Sequence, residues 1–217
     1  MRGYSMTEQE LLDILKETGG YITGSHIVTT SGKHIDTYLN KDAIYPHTHV
    51  TSAVCKAMAE LFVDSNIEAV VGPALGGIIL SQWTAYHLSE LTGKEVLGIY
   101  AEKTANKDQI LTRGYDALVR GKRVLVVEDI LTTGQSLAKV VRSVKEVGGI
   151  VVAACAMINR APDKVDSTVV GAPLKTLAEL RLPAWDKADC PLCKNNVPIN
   201  TTVGKGREYL AQLQQKD

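Results

Sequence analysis

The chain has 217 residues, 45% of them hydrophobic with a single Phe, enough for one core packed mainly from aliphatic side chains. Its 24 Lys and Arg offset 24 Asp and Glu, so no global field draws it to nucleic acid or to an acidic membrane. No apolar run approaches the roughly 20 residues of a membrane span. The start has no secretory apolar region, with Met6 as an alternative first residue. The expectation is a cytoplasmic protein, and the glycosylation pattern at Asn200-Thr201-Thr202 carries no weight in one.

Glu8 to Thr18 is predicted as a short helix, with Leu11, Leu12, Ile14 and Leu15 as its apolar face and Gly19-Gly20 as its stop. Tyr21 to Tyr38 mixes β-branched residues with Gly24 and Ser31-Gly32, a hairpin pattern. His49 to Asp64 returns to helical spacing through Val54, Met58, Leu61 and Phe62. Ala69 to Val71 is a strand that runs through Gly72-Pro73-Ala74-Leu75-Gly76-Gly77 into a helix ending near Leu91. A glycine-rich turn at that place can bring backbone amides against an anion. Without a following Lys-Ser or Lys-Thr it is no Walker loop, and by itself it could equally be a tight strand–helix turn. Val96 to Tyr100 is the next strand. The stretch from Ala101 to Arg113 is polar and without apolar period, which alone reads as a solvated loop.

Val124 to Val127 are four apolar β-formers leading to Glu128 and Asp129. Ile130 and Leu131 follow, then Thr132-Thr133-Gly134-Gln135-Ser136, then a helical pattern from Leu137 to Val147. This is a buried strand ending in two carboxylates, followed by a hydroxyl-bearing turn that opens a helix. Amides at a helix N-terminus, joined by Thr and Ser hydroxyls, make a phosphate cradle. Carboxylates just before it suit sugar hydroxyls, so the expected ligand contains a ribose 5-phosphate. Ile150 to Ile158 is a further buried strand, closed by Asn159-Arg160. Strands alternating with helices argue a parallel sheet covered on both faces, with ligands at the carboxyl ends of the strands.

From Val170 the chain carries Pro173, Pro183, Pro191 and Pro198 and reads as short irregular pieces before a last helix at about Gly206 to Gln214. Cys55 and Cys155 fall in apolar patterns and are expected to be buried small hydrophobes. Cys190-Pro191-Leu192-Cys193 is a lone pair with no second pair and no histidine near it in sequence. Two reduced thiols in a turn are expected there, with a zinc or disulfide site shared with another subunit as the alternative.

The peptide from Val124 to Ser136 resembles the phosphoribosyl-diphosphate (PRPP) motif of type I phosphoribosyltransferases: apolar strand, two acids, two apolar residues, Thr-Thr-Gly-x-Ser. The resemblance implies that family's α/β fold: a central parallel sheet with helices on both faces and a small hood. The chain would be one domain over residues 1–217, with a core of about 48–160 and a hood from about 18–45 and 161–203. It implies Glu128 and Asp129 on the ribose hydroxyls. Ile130, Leu131, Thr132, Thr133, Gly134, Gln135 and Ser136 would bind the 5′-phosphate side. Ala74, Leu75, Gly76 and Gly77 would bind the diphosphate. The polar stretch would be a lid whose Lys103 and Lys107, with Arg113, meet the diphosphate, commonly from the neighbouring subunit of a homodimer. Mg²⁺ would bridge diphosphate oxygens, with no dedicated protein ligands.

Ser25 to Tyr38 is similar to the N-terminal hairpin of orotate phosphoribosyltransferases, and Asn159-Arg160 to the pair whose arginine meets the acidic pyrimidine. On that resemblance Thr30, Thr132 and Arg160 bind the base. A guanidinium suits a carboxylate-bearing base. The implied reaction is orotate plus PRPP giving orotidine 5′-monophosphate and diphosphate. Two positions depart from parts of the family: Glu102 where one branch often has arginine, and Thr30 where some members have lysine. A purine or xanthine phosphoribosyltransferase and a PRPP-sensing regulator that binds nucleic acid are the alternatives. The balanced charge argues against the regulator.

Overall fold

The computed structural model describes residues 6–106 and 108–214. The chain opens with α1 (Glu8–Glu17), four two-residue strands, β1 (Tyr21–Ile22), β2 (Ile27–Val28), β3 (His34–Ile35) and β4 (Tyr38–Leu39), and α2 (Thr48–Glu60). Next come β5 (Ala69–Pro73), α3 (Gly76–Thr92), β6 (Leu97–Lys103), β7 (Gln109–Ile110), α4 (Tyr115–Val119), β8 (Arg123–Leu131), α5 (Gln135–Glu146) and β9 (Ile150–Asn159). It finishes with α6 (Ser167–Val170), β10 (Leu174–Glu179), α7 (Pro191–Lys194) and α8 (Gly206–Gln214).

Six strands form one sheet in the order β10-β9-β8-β5-β6-β7, parallel except for the β6–β7 pair. The unbroken apolar run of β8 follows from its central place. Val124 and Val126 pack with Leu137, Val140, Val141 and Val144 of α5 on one face. Leu125 and Val127 pack on the other with Cys55 and Met58 of α2 and Leu80, Ala85 and Leu88 of α3. A strand covered on both faces has no position for a polar alternate. Each such side chain contributes about 1.5–3 kcal/mol of burial. Cys55 and Cys155 are buried in this core, which pushes both thiols up.

Three features of this sheet differ from the sequence reading. β10 lies in the stretch expected to be irregular. Its Lys-Thr-Leu-Ala-Glu has weak strand propensity, and the ladder with β9, from Leu174↔Ala154 to Glu179↔Asn159, supplies the order. β8 continues past Val127 to Leu131 because β9 runs beside it as far as Asn159, so Glu128 and Asp129 lie inside the ladder. The polar stretch after Tyr100 begins as a hairpin, with Glu102↔Ile110 and Lys103↔Gln109 paired.

The N-terminal segment forms two short antiparallel ladders, β1–β4 and β2–β3, in place of one hairpin. Leu11 and Leu15 of α1 seat this hood on Met157, Ile158 and Ala178. The tail closes over it: His34 and Trp185 exchange two backbone hydrogen bonds of 2.8 Å, and Asn200 N–H donates to the His26 carbonyl at 2.7 Å. No helix among the described residues is long and apolar enough to cross a membrane.

Candidate active site

β5 and β8 are neighbours, and each runs directly into a helix. The starts of α3 and α5 therefore meet at one end of the sheet. Neither helix has a side-chain cap or an acid in its first turn, so the positive ends and free amides of both are available to a ligand. Between them lies a cavity of about 300 Å³ lined by Lys41, Ala74 to Gly76, Lys103, Gln109 and an unbroken run from Glu128 to Leu137. Two anion-favouring helix ends on one cavity suit a ligand with phosphates at both ends.

Glycine lets the backbone approach closely here. A Cβ on Gly72 would meet the Gly77 carbonyl oxygen at 2.3 Å, and one on Gly76 would meet Asp129 Oδ2 at 2.2 Å. Gly134 caps α5 at φ 69°, in the left-handed region. Asp129 Oδ2 accepts from Lys41 Nζ at 2.7 Å and from the Tyr45 hydroxyl at 3.0 Å; Oδ1 accepts from the Ile130 amide at 2.7 Å. Burial works against the Lys41 charge, but the bond and charge of Asp129 outweigh it and raise its pKa. The Tyr45 hydroxyl is pushed up by burial and by Asp129.

Burial pushes the Glu128 carboxyl up to about 8, and the neighbouring Asp129 charge adds to the effect. Between roughly pH 4.5 and 8 the folded chain therefore holds a proton that the unfolded chain has lost, so stability falls as pH rises through that window. Glu128→Gln should remove this fall. Urea unfolding at pH 8.5 should show the variant more stable by on the order of a few kcal/mol, with the two proteins converging near pH 4. Parallel pH profiles would show that Glu128 is not held neutral.

The cavity brings together most of the residues expected from the sequence: Ala74, Leu75, Gly76, Lys103, Glu128, Asp129, Ile130, Leu131, Thr132, Thr133, Gly134, Gln135 and Ser136. Gly77 stands behind it against Gly72 and Pro73. Lys107 lies outside the described residues. Arg113 does not line the cavity; Glu102 holds it at 2.7 Å and also accepts from the Thr112 hydroxyl. Of the three expected base contacts, Thr132 lines this cavity and Thr30 and Arg160 do not. Thr30 is exposed at the tip of the β2–β3 hairpin. Arg160 lines a separate pocket of about 320 Å³ with Pro162, Lys164 and Arg181, and its burial lowers its pKa. Asn159, just before it, folds the turn that follows, donating to Val165 O and accepting from the Ala161 amide.

Lys41, Tyr45 and Gln109 were not visible as site residues. Lys41 and Tyr45 stand 88 and 84 positions from Asp129, and no local pattern marks them. Gln109 is 6% exposed and its Oε1 has no hydrogen-bond partner among the described residues. A buried, unpartnered acceptor on a polar cavity suits a ligand donor.

Residues 40–170 match the family model of the phosphoribosyl transferase domain. The chain is similar to the orotate phosphoribosyltransferase of Caldanaerobacter subterraneus subsp. tengcongensis, 34% identical over 194 residues covering 89% of this chain and 96% of that protein. It is 36% identical to the Thermotoga maritima orotate phosphoribosyltransferase, over 89% of this chain and 97% of the relative. Its fold is similar to the crystal structure of orotate phosphoribosyltransferase from Aeropyrum pernix: TM-score 0.61 at 24% identity, covering 79% of this chain and 94% of the other.

Proposed function

The chain belongs to the phosphoribosyl transferase family, among its orotate phosphoribosyltransferases, and we propose that it transfers the phosphoribosyl group of PRPP to orotate at the cavity between α3 and α5. The observation that carries this reading is the convergence of two uncapped helix N-termini on the carboxylates of Glu128 and Asp129. The amides and hydroxyls of Thr132 to Ser136 hold the 5′-phosphate, and the Ala74 to Gly77 turn holds the diphosphate. Asp129 accepts from the ribose hydroxyls and faces the positive charge that develops on the ribose as the C1–O bond breaks. Lys103, exposed at the cavity edge, neutralises the departing diphosphate, a role the resemblance also gives to Lys107. Catalysis is then positioning and charge stabilisation, with no protein nucleophile.

The donor set around this cavity fits Mg²⁺. The cavity offers hard oxygens such as the Asp129 carboxylate but no protein cage, and the ion characteristically relies on waters and substrate phosphates for most of its shell. When bound it would screen and orient the diphosphate. On the same resemblance Arg160 is assigned to the orotate carboxylate and Thr30 to the base. A homodimer, expected from the resemblance, is part of the same proposal and is checked by sedimentation equilibrium; a monomer at assay concentration would remove it.

A nucleobase screen with PRPP tests the whole reading. Orotate should be consumed and diphosphate released, chelation should abolish turnover, and added Mg²⁺ should restore it. Turnover of xanthine or adenine without orotate would replace the substrate. Full activity in chelator would remove the ion.

A further inference from the structure

The hood carries a cluster that the reaction does not use. His26, His34, Cys190 and Cys193 come from three separate stretches of chain, yet one ligand atom from each lies within 4.8 Å of all the others. We propose that these four residues form a structural zinc site that staples the tail to the N-terminal hairpin.

The distances have the right form. Cys193 Sγ lies 3.4 Å from His34 Nδ1 and 3.6 Å from His26 Nε2, and Cys190 Sγ lies 3.7 Å from His26 Nε2. Zinc bonds of about 2.3 Å to sulfur and 2.0–2.1 Å to nitrogen at tetrahedral angles place N and S about 3.6 Å apart. The two nitrogens, at 2.7 Å, need to part by roughly half an ångström to accept the ion. His26 Nδ1 faces the Val197 carbonyl at 2.7 Å, so the proton belongs on Nδ1 and the Nε2 lone pair faces the cluster. A backbone carbonyl that fixes the tautomer of a ligating histidine is the usual outer support of such sites.

Chemistry and burial agree with a closed site. Two thiols and two imidazoles select a borderline-soft ion, and four protein ligands leave no place for substrate. His26, His34 and Cys190 are buried, and both cysteines are free thiols. Cys190 caps the single turn of α7 with Pro191 at its first position, so the pair is pre-arranged. The elements it joins are small: β2 and β3 have two residues each, and the tail reaches them through isolated bridges. A metal supplies the stability that so little apolar contact cannot.

Untagged protein purified without chelator should carry about one zinc per chain by plasma mass spectrometry. Cobalt exchange should give the intense visible bands of tetrahedral coordination together with thiolate-to-cobalt charge transfer. Cys193→Ser should lose most of the zinc, whereas Cys55→Ser, in the core, should keep it. A strong chelator should lower Tm by several degrees. These readouts do not depend on which base the enzyme accepts. Less than about a tenth of an equivalent of zinc after refolding with zinc, a weak six-coordinate cobalt spectrum, or a Cys190–Cys193 disulfide in protein kept reduced would each overturn the proposal.

Discussion

Asp129→Asn should lower kcat/KM for PRPP by at least about 10²–10³-fold while leaving the fold in place. The carboxylate has three hydrogen-bond donors on it already, from Lys41, Tyr45 and the Ile130 amide. Its remaining acceptor capacity, together with what Lys41 releases when it turns to a ligand phosphate, is what a ribose diol would use. An amide replaces one acceptor oxygen with an NH2 donor. Either orientation places a donor against Lys41 or Tyr45, or against the Ile130 amide, and removes the negative charge facing the ribose. The stability loss should be small, because Lys41 is 33% exposed and can turn to water: about 1 kcal/mol, against the 3–5 of a fully buried broken pair. Steady-state kinetics with a parallel melting curve separates the two effects. Near-normal turnover would remove Asp129 from the reaction.

Gly76→Ala should be nearly as damaging, through geometry alone. The added methyl has no free space: it would stand 2.2 Å from Asp129 Oδ2, 2.7 Å from the Tyr45 hydroxyl and 3.2 Å from Lys41 Nζ. Two of these three are short or hydroxyl groups on packed elements, so the start of α3 or the Asp129 carboxylate must move by about an ångström. Displacements of that size in a positioning site cost on the order of 10²-fold. The loss should appear mainly in KM for PRPP, because the change disturbs both the turn and the acid that the proposed function places on the diphosphate and the ribose. Titration with PRPP, followed by protection against thermal unfolding, gives the binding term directly. Unchanged PRPP affinity in a folded variant would show that the Gly76 backbone does not lie against the ligand.

The residues of the cavity divide by how far apart in sequence their partners lie. Glu128 to Ser136 are consecutive, and their roles follow from a strand entering a helix. That conformation is local, so the peptide displays it in its own pattern of apolar run, acids and Thr-Thr-Gly. The same holds for the turn from Gly72 to Gly77, where close backbone approach requires glycine on both sides. Arg113 illustrates the opposite case. The resemblance put Arg113, in a polar stretch, on the diphosphate, but Glu102, across the β6–β7 hairpin, holds the guanidinium here. A one-dimensional pattern registers the cation and not the anion that occupies it. β10 was hidden for a related reason: its residues are poor strand formers, and only the exposed edge of β9 makes them a strand.

By itself, the amino-acid sequence determined the covered parallel sheet, the two glycine-bearing strand–helix turns and the pair of acids between them, because each is written in contiguous residues with a local period. The tertiary structure alone decided that Lys41 and Tyr45 clamp Asp129, and that two histidines of the hairpin meet two cysteines more than 150 positions away. Those contacts depend on how the hood folds back over the sheet. Their energy is gained only after long loops have closed, so neighbouring residues carry no trace of them.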